Sequence, residues 1–220
     1  MSSADERSAA TQRGNKTMLT LLALHGSGRD ETDLVEFCCQ LVPQAHLITP
    51  RGPFLQAEGF TFFRRRSDGS IAAAEVVELA RRWLSQEIEA HLPASGEVIV
   101  VGYSSGAIFA EALLSVVPDR FAGAVLLRPE PLSPSFRFPK MSGKPILIIA
   151  GKRDERRRHD DAVVLTEQLN RAEAIVSLHV IDAGHGWAPS NADISLTRSW
   201  QATLAAISRS TVGALLPSMS

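Results

Sequence analysis

Cysteine is scarce in this chain: only Cys38 and Cys39 occur in 220 residues, and they are neighbours. Adjacent cysteines rarely pair with each other, and no C-x-x-C spacing exists. Neither a disulfide framework nor a zinc site is therefore supported. An excess of one charge is also missing. The formal net charge is −1, which gives no reason to expect nucleic acid or an anionic membrane as partner. No apolar run approaches the roughly 18 residues of a membrane span. Met1–Lys16 lacks an apolar core and carries Asp5 and Glu6, so it reads as a disordered leader and not a signal peptide. With none of these signals, the default location is the cytoplasm. There is no internal repeat and no low-complexity block.

What the chain does have is apolar content, 45%, enough for one full core and a single domain over 17–220. Short apolar runs alternate with helical patterns. Strands are predicted at Met18–Leu24, Ala45–Thr49, Val98–Val101, Gly123–Leu127, Pro145–Ala150 and Ile175–Ile181. Helices are predicted at Glu31–Leu41, Ala73–His91, Ala107–Val117, Asp161–Arg171 and Ile194–Ile207. Pro50–Ser70 reads as a long irregular stretch. Such alternation argues for an α/β architecture, a mostly parallel central sheet with helices on both faces. In such sheets, sites form at the carboxyl ends of the strands. The chain is too short for a large lid domain. The terminal helix and sheet edges leave a homodimer open without demanding one.

The Val98–Val101 run feeds Gly102-Tyr103-Ser104-Ser105-Gly106, a G-x-S-x-G pentapeptide at a strand-to-helix turn. This is how the α/β-hydrolase fold holds a nucleophilic serine on a strained turn with Oγ exposed. A serine hydroxyl needs a base in reach, and the base needs an acid to orient it. In this fold the order is serine, acid, histidine. Asp154 follows the Pro145–Ala150 strand and His185 follows Ile175–Ile181. Asp160, Asp161 and Asp182 are rival acids. Asp182 lies only three residues before His185, poorly placed to meet its ring from behind. The Leu19–Leu24 strand ends in His25-Gly26-Ser27-Gly28, so the N–H groups of Ser27 and Ser105 are the candidate oxyanion donors, with His25 structural.

These pieces resemble the phospholipase/carboxylesterase family of α/β-hydrolases, which includes the acyl-protein thioesterases. The match is carried by Leu24–Leu34, Gly102–Gly106, Gly151–Glu155 and Gly184-His185-Gly186. Arg51-Gly52-Pro53, Phe62-Phe63-Arg64-Arg65 and Leu127-Arg128-Pro129 are similar to a bacterial branch of it. The resemblance implies hydrolysis of carboxylic esters of short to medium acyl chain through an acyl-enzyme. Ser104, Asp154 and His185 would form the triad, with no metal or organic cofactor and a small-molecule ester as partner. A thioesterase or lysophospholipase is the alternative, and a non-catalytic binding protein on the same scaffold is a more distant one. Hydrolysis of dienelactones usually brings cysteine to the nucleophile, which sets it behind simple esters here. Phe54, Phe62 and Phe63 are candidates for the substrate pocket, and Trp187 for its mouth. The Phe60–Arg66 run reads either as loop packing, with the arginines solvated or bridging acids such as Glu58, or as a pocket wall with one arginine on a polar end of the substrate. Arg156-Arg157-Arg158 reads as a solvated helix entry.

Overall fold

A computed structural model describes residues 18–94 and 97–214, with side chains defined as far as residue 204. The predicted leader lies outside the described residues. Six strands form one sheet: β1 (Thr20–Leu24), β2 (His46–Ile48), β5 (Val98–Tyr103), β6 (Gly123–Leu127), β7 (Pro145–Gly151) and β8 (Ile175–Ile181). Their spatial order is β2-β1-β5-β6-β7-β8, and every pairing is parallel. The order reverses beside β1, so the chain leaves β1 in one direction and β5 in the other. That reversal opens a crevice at the carboxyl ends of β1 and β5.

The two-residue period of a strand sorts the apolar side chains to opposite faces. Leu22, Leu24, Val98, Val100, Leu126 and Ile148 face one layer. There they meet α2 (Ala73–Trp83), α3 (Ser105–Val116) and α4 (Asp161–Arg171). Leu21, Ala23, Ile99, Val101, Leu127 and Ile149 face the other. They are covered by α1 (Val35–Leu41) and α5 (Ala192–Ala214). Both faces being covered explains why β1, β5 and β6 are buried along their whole length and read as continuous apolar runs. α3 is buried from Ser105 to Leu114, as befits a helix apolar almost all round. No helix of the described residues is long and apolar enough to cross a membrane.

Two expectations need correction. The Pro50–Ser70 stretch is not wholly irregular: it folds into a hairpin of β3 (Phe54–Gln56) and β4 (Gly59–Thr61). This hairpin docks on the loop after β1, where the Gly28 N–H donates to the Phe60 carbonyl (2.9 Å) and the Phe60 N–H to the Arg29 carbonyl (2.7 Å). The predicted Ala73–His91 helix is α-helical only to Trp83, then widens into a π turn at Leu84–Ile88 and ends in a 3₁₀ turn. The widened turn keeps both Leu84 and Ile88 buried.

Candidate active site

Ser104 sits between β5 and α3 at φ 54°, ψ −112°. A non-glycine residue there is strained, and such strain persists only where the surroundings enforce it. Here the two flanking glycines do so. A Cβ on Gly102 would lie 2.5 Å from the Gly106 carbonyl oxygen, and one on Gly106 would run into the Leu24 carbonyl. β1, β5 and α3 therefore approach so closely that the turn is forced and Oγ stands up at the end of the sheet.

The loops after β7 and β8 bring the other two residues to it. The Ser104 hydroxyl donates to His185 Nε2 at 2.8 Å. His185 Nδ1–H donates to both Asp154 oxygens, at 3.0 and 2.9 Å. The Asp154 side chain is 3% exposed and also accepts the Arg156 N–H (2.9 Å). Asp182 stands apart, 75% exposed and paired with Arg153. Burial holds the His185 imidazole below its ordinary pKa. The bond to Asp154 raises it, and the nearby Arg157 guanidinium lowers it. The lowered pKa favours the neutral ring, whose Nε2 can accept a proton.

Arg128, which opens the loop after β6, holds the loop that carries His185, and composition and spacing do not single it out. It is fully buried at φ 52°. Its guanidinium donates to the carbonyls of Gly184 (3.1 Å) and Gly186 (2.9 Å), the residues either side of His185. It also forms a two-pronged ion pair with buried Asp193 at 2.7 and 3.1 Å. The Tyr103 hydroxyl donates to the His185 carbonyl (2.5 Å). Three consecutive carbonyls of the histidine loop are therefore held by side chains.

On the other side of Ser104, the Ser27 N–H has no acceptor among the described residues, and the Ser105 N–H lies in the open first turn of α3. His25 fixes this loop. It contacts the Gly26 carbonyl through Nδ1 (2.8 Å), and its Nε2 accepts the Gly52 N–H (2.9 Å). Ser27, Ser104 and Ser105 all line a cleft of about 1020 Å³. Of the predicted pocket residues, Phe63 lines it. Phe62 does not: it is fully buried, stacked on Phe109 and in contact with His25 and Trp83. The two lie in the bend that follows β4, and only Phe63 faces the cleft. Phe54 is also away from the cleft, under the Arg64 guanidinium. Trp187 is stacked on Tyr103 and Phe37, and it borders a separate, smaller pocket of about 200 Å³.

Of the arginines, one bridges an acid as the packing reading of Phe60–Arg66 allows, and one departs from expectation. Arg65 donates twice to Glu130, at 3.0 and 2.7 Å. Arg157 is not solvated: its side chain is 10% exposed and lines the cleft. It ion-pairs with Glu130 (3.2 Å) and donates to Ser104 Oγ (3.0 Å). Arg156 and Arg158 also line the cleft but stay exposed, and of the three only Arg157 is drawn in against Glu130 and Ser104.

Residues 67–210 match the model of the dienelactone hydrolase family. MhqD of Bacillus subtilis, which carries the name of a hydrolase, is 34% identical over 168 residues, covering 75% of this chain and 84% of its own. The crystal structure of a carboxylesterase from Mesorhizobium loti superposes with a TM-score of 0.74 at 30% identity, covering 83% of this chain and 88% of that one. The Bacillus cereus carboxylesterase does so with a TM-score of 0.75 at 24% identity, over 84% and 88% of the two chains, and speaks to the fold.

Proposed function

Since this chain belongs to the dienelactone hydrolase family, and so is a hydrolase, we propose that it cleaves carboxylic esters of short to medium acyl chain through an acyl-enzyme on Ser104. The observation that carries this reading is the unbroken hydrogen-bonded chain Ser104–His185–Asp154. Ser104 Oγ adds to the ester carbonyl as its proton passes to His185 Nε2. Asp154 holds the ring through Nδ1–H and stabilises the imidazolium. The C–O bond to the leaving alcohol breaks, and that alcohol takes the proton from Nε2. Water then adds to the acyl-enzyme, giving its proton to His185, and the acid departs as Oγ recovers it. The N–H groups of Ser27 and Ser105 meet the oxyanion, each worth about 3 kcal/mol in the transition state. A serine at the nucleophile favours open-chain esters over dienelactones within the family. The Mesorhizobium loti carboxylesterase, at 30% identity, supports ester chemistry.

Hydrolysis of p-nitrophenyl esters from acetate to palmitate, with wild type and Ser104→Ala, tests the proposal. The expected result is turnover that peaks at short chains and falls by at least about 10⁴-fold in the variant. Equal turnover by a folded Ser104→Ala protein refutes the mechanism. An optimum at long chains refutes the substrate range and favours a thioesterase or lysophospholipase.

A further inference from the structure

Arg157 makes a set of contacts that ester hydrolysis does not call for. Its Nε donates to the Arg128 carbonyl (2.8 Å), and its Nη1 donates to the Arg156 carbonyl (3.0 Å) and faces Glu130 (3.2 Å). Nη2 donates to Ser104 Oγ (3.0 Å). A guanidinium has five N–H groups, so one on Nη2 has no acceptor among the described residues.

The bond from Nη2 occupies a lone pair of the oxygen that must attack. The second lone pair stays free to attack, so the guanidinium, its side chain 10% exposed, can remain beside the reacting carbonyl with its spare Nη2 N–H available to an incoming acceptor. Among the carboxylates around it, Glu130 is shared with Arg65, Asp154 holds His185, and Asp161 accepts the Arg158 N–H (2.8 Å), while Asp68 and Glu155 also line the cleft and neither accepts from Arg157. Arg157 also opposes the positive charge that His185 takes on during turnover, and a nearby anion would offset this. The cleft wall includes Ser104, Phe63, Leu132 and Arg157 but not His185. The leaving oxygen must lie at His185, so the cleft takes the acyl half.

Resting on the serine-hydrolase reading, we infer that Arg157 is a specificity-determining residue that binds a carboxylate on the acyl half of the substrate. A guanidinium–carboxylate contact spans about 2.8 Å, and Nη2 is 3.0 Å from Oγ. The second carboxylate therefore lies within roughly 6 Å of the nucleophile. That reach selects half-esters of short dicarboxylic acids, with about one to three carbons between the two carboxyl groups. Phe63 and Leu132 pack against the intervening methylenes.

The test compares monoethyl succinate with ethyl butyrate, similar in length and differing in charge, by titrating the acid released. Wild type is expected to favour the half-ester. In Arg157→Met the ratio of the two kcat/KM values falls on the order of 10- to 100-fold, and in Arg157→Lys it falls less. A ratio that drops less than tenfold in Arg157→Met, or a wild type that favours the neutral ester, overturns the inference. A common fall on both esters, the mark of a merely structural arginine, does so too. Ser104-dependent turnover of ethyl butyrate with a ratio indifferent to Arg157 refutes only this inference. Absence of turnover on both esters counts against the hydrolase reading itself. Succinate titrated into Ser104→Ala protein by calorimetry reads the anion site without chemistry. Binding that weakens at least tenfold on adding Arg157→Met supports it, and no binding, or unchanged affinity, overturns it.

Discussion

Replacing Arg128 by methionine removes a buried cation while nearly keeping its bulk. It strands Asp193, whose side chain is 4% exposed and which then keeps the Ala188 N–H (2.8 Å) but no counter-charge. Breaking a buried pair from one side costs about 3–5 kcal/mol. In a chain of 220 residues, each kcal/mol moves Tm by about 2–4 °C, so Arg128→Met should melt roughly 6–20 °C below wild type. Asp193→Asn in the same background removes the stranded charge but retains an oxygen for the Ala188 N–H. The double variant should therefore recover at least about 1.5 kcal/mol relative to the sum of the single changes. Equilibrium urea denaturation of the four proteins gives the cycle, and ester turnover should fall as the carbonyls around His185 lose their donors. A single-variant loss under about 1 kcal/mol, or additivity within about 0.5 kcal/mol, would refute the reasoning.

Three further outcomes follow from the same geometry. Burial lowers the His185 pKa and Arg157 lowers it further, so the acid limb of kcat/KM should lie below the ordinary imidazole value of about 6.5. Arg157→Met should move that limb upward, and a limb at or above 6.5 in wild type contradicts the assignment. Burial raises Glu111 well above the usual carboxylate range. A raised acid stabilises fully below its unfolded value and loses that contribution as pH rises toward the folded one. Glu111→Gln, which keeps an acceptor for the Leu132 N–H (3.2 Å), should thus gain stability over wild type at pH 8 relative to pH 4, and parallel denaturation curves at the two pH values would count against it. Ser104→Gly relieves the backbone at φ 54°. It should be inactive yet more stable than Ser104→Ala by about 1 kcal/mol, and equal melting temperatures would show that the elbow holds no strain.

The strand-borne part of the candidate site was legible because each candidate residue closes an apolar run: Ser104 after β5, Asp154 after β7, His185 after β8. A buried strand and the turn that ends it are local patterns. The side chains that hold those residues depend on distant partners. The hairpin of β3 and β4 pairs with Gly28–Arg29 across some thirty residues of chain, and nothing local reports such a match. Phe62 and Phe63 are equally apolar, and only the twist of the segment after β4 sends one to the core and the other to the cleft. Arg128 carried no mark of its role, since its value lies in the carbonyls of a loop more than fifty residues later. Nearness to His185 in sequence points Trp187 to the mouth, yet its ring stacks on Tyr103 and Phe37.

Arg128 also has a main-chain carbonyl, and Arg157 donates to it (2.8 Å). One residue thus ties the stretch after Asp154 by its backbone, and the histidine loop and the start of α5 by its side chain. These segments have little freedom to drift separately over time. Because the bond from Arg157 falls on a main-chain carbonyl, an exchange at 157 leaves the side-chain contacts of Arg128 in place. The cleft wall is thus free to vary while the histidine loop stays anchored.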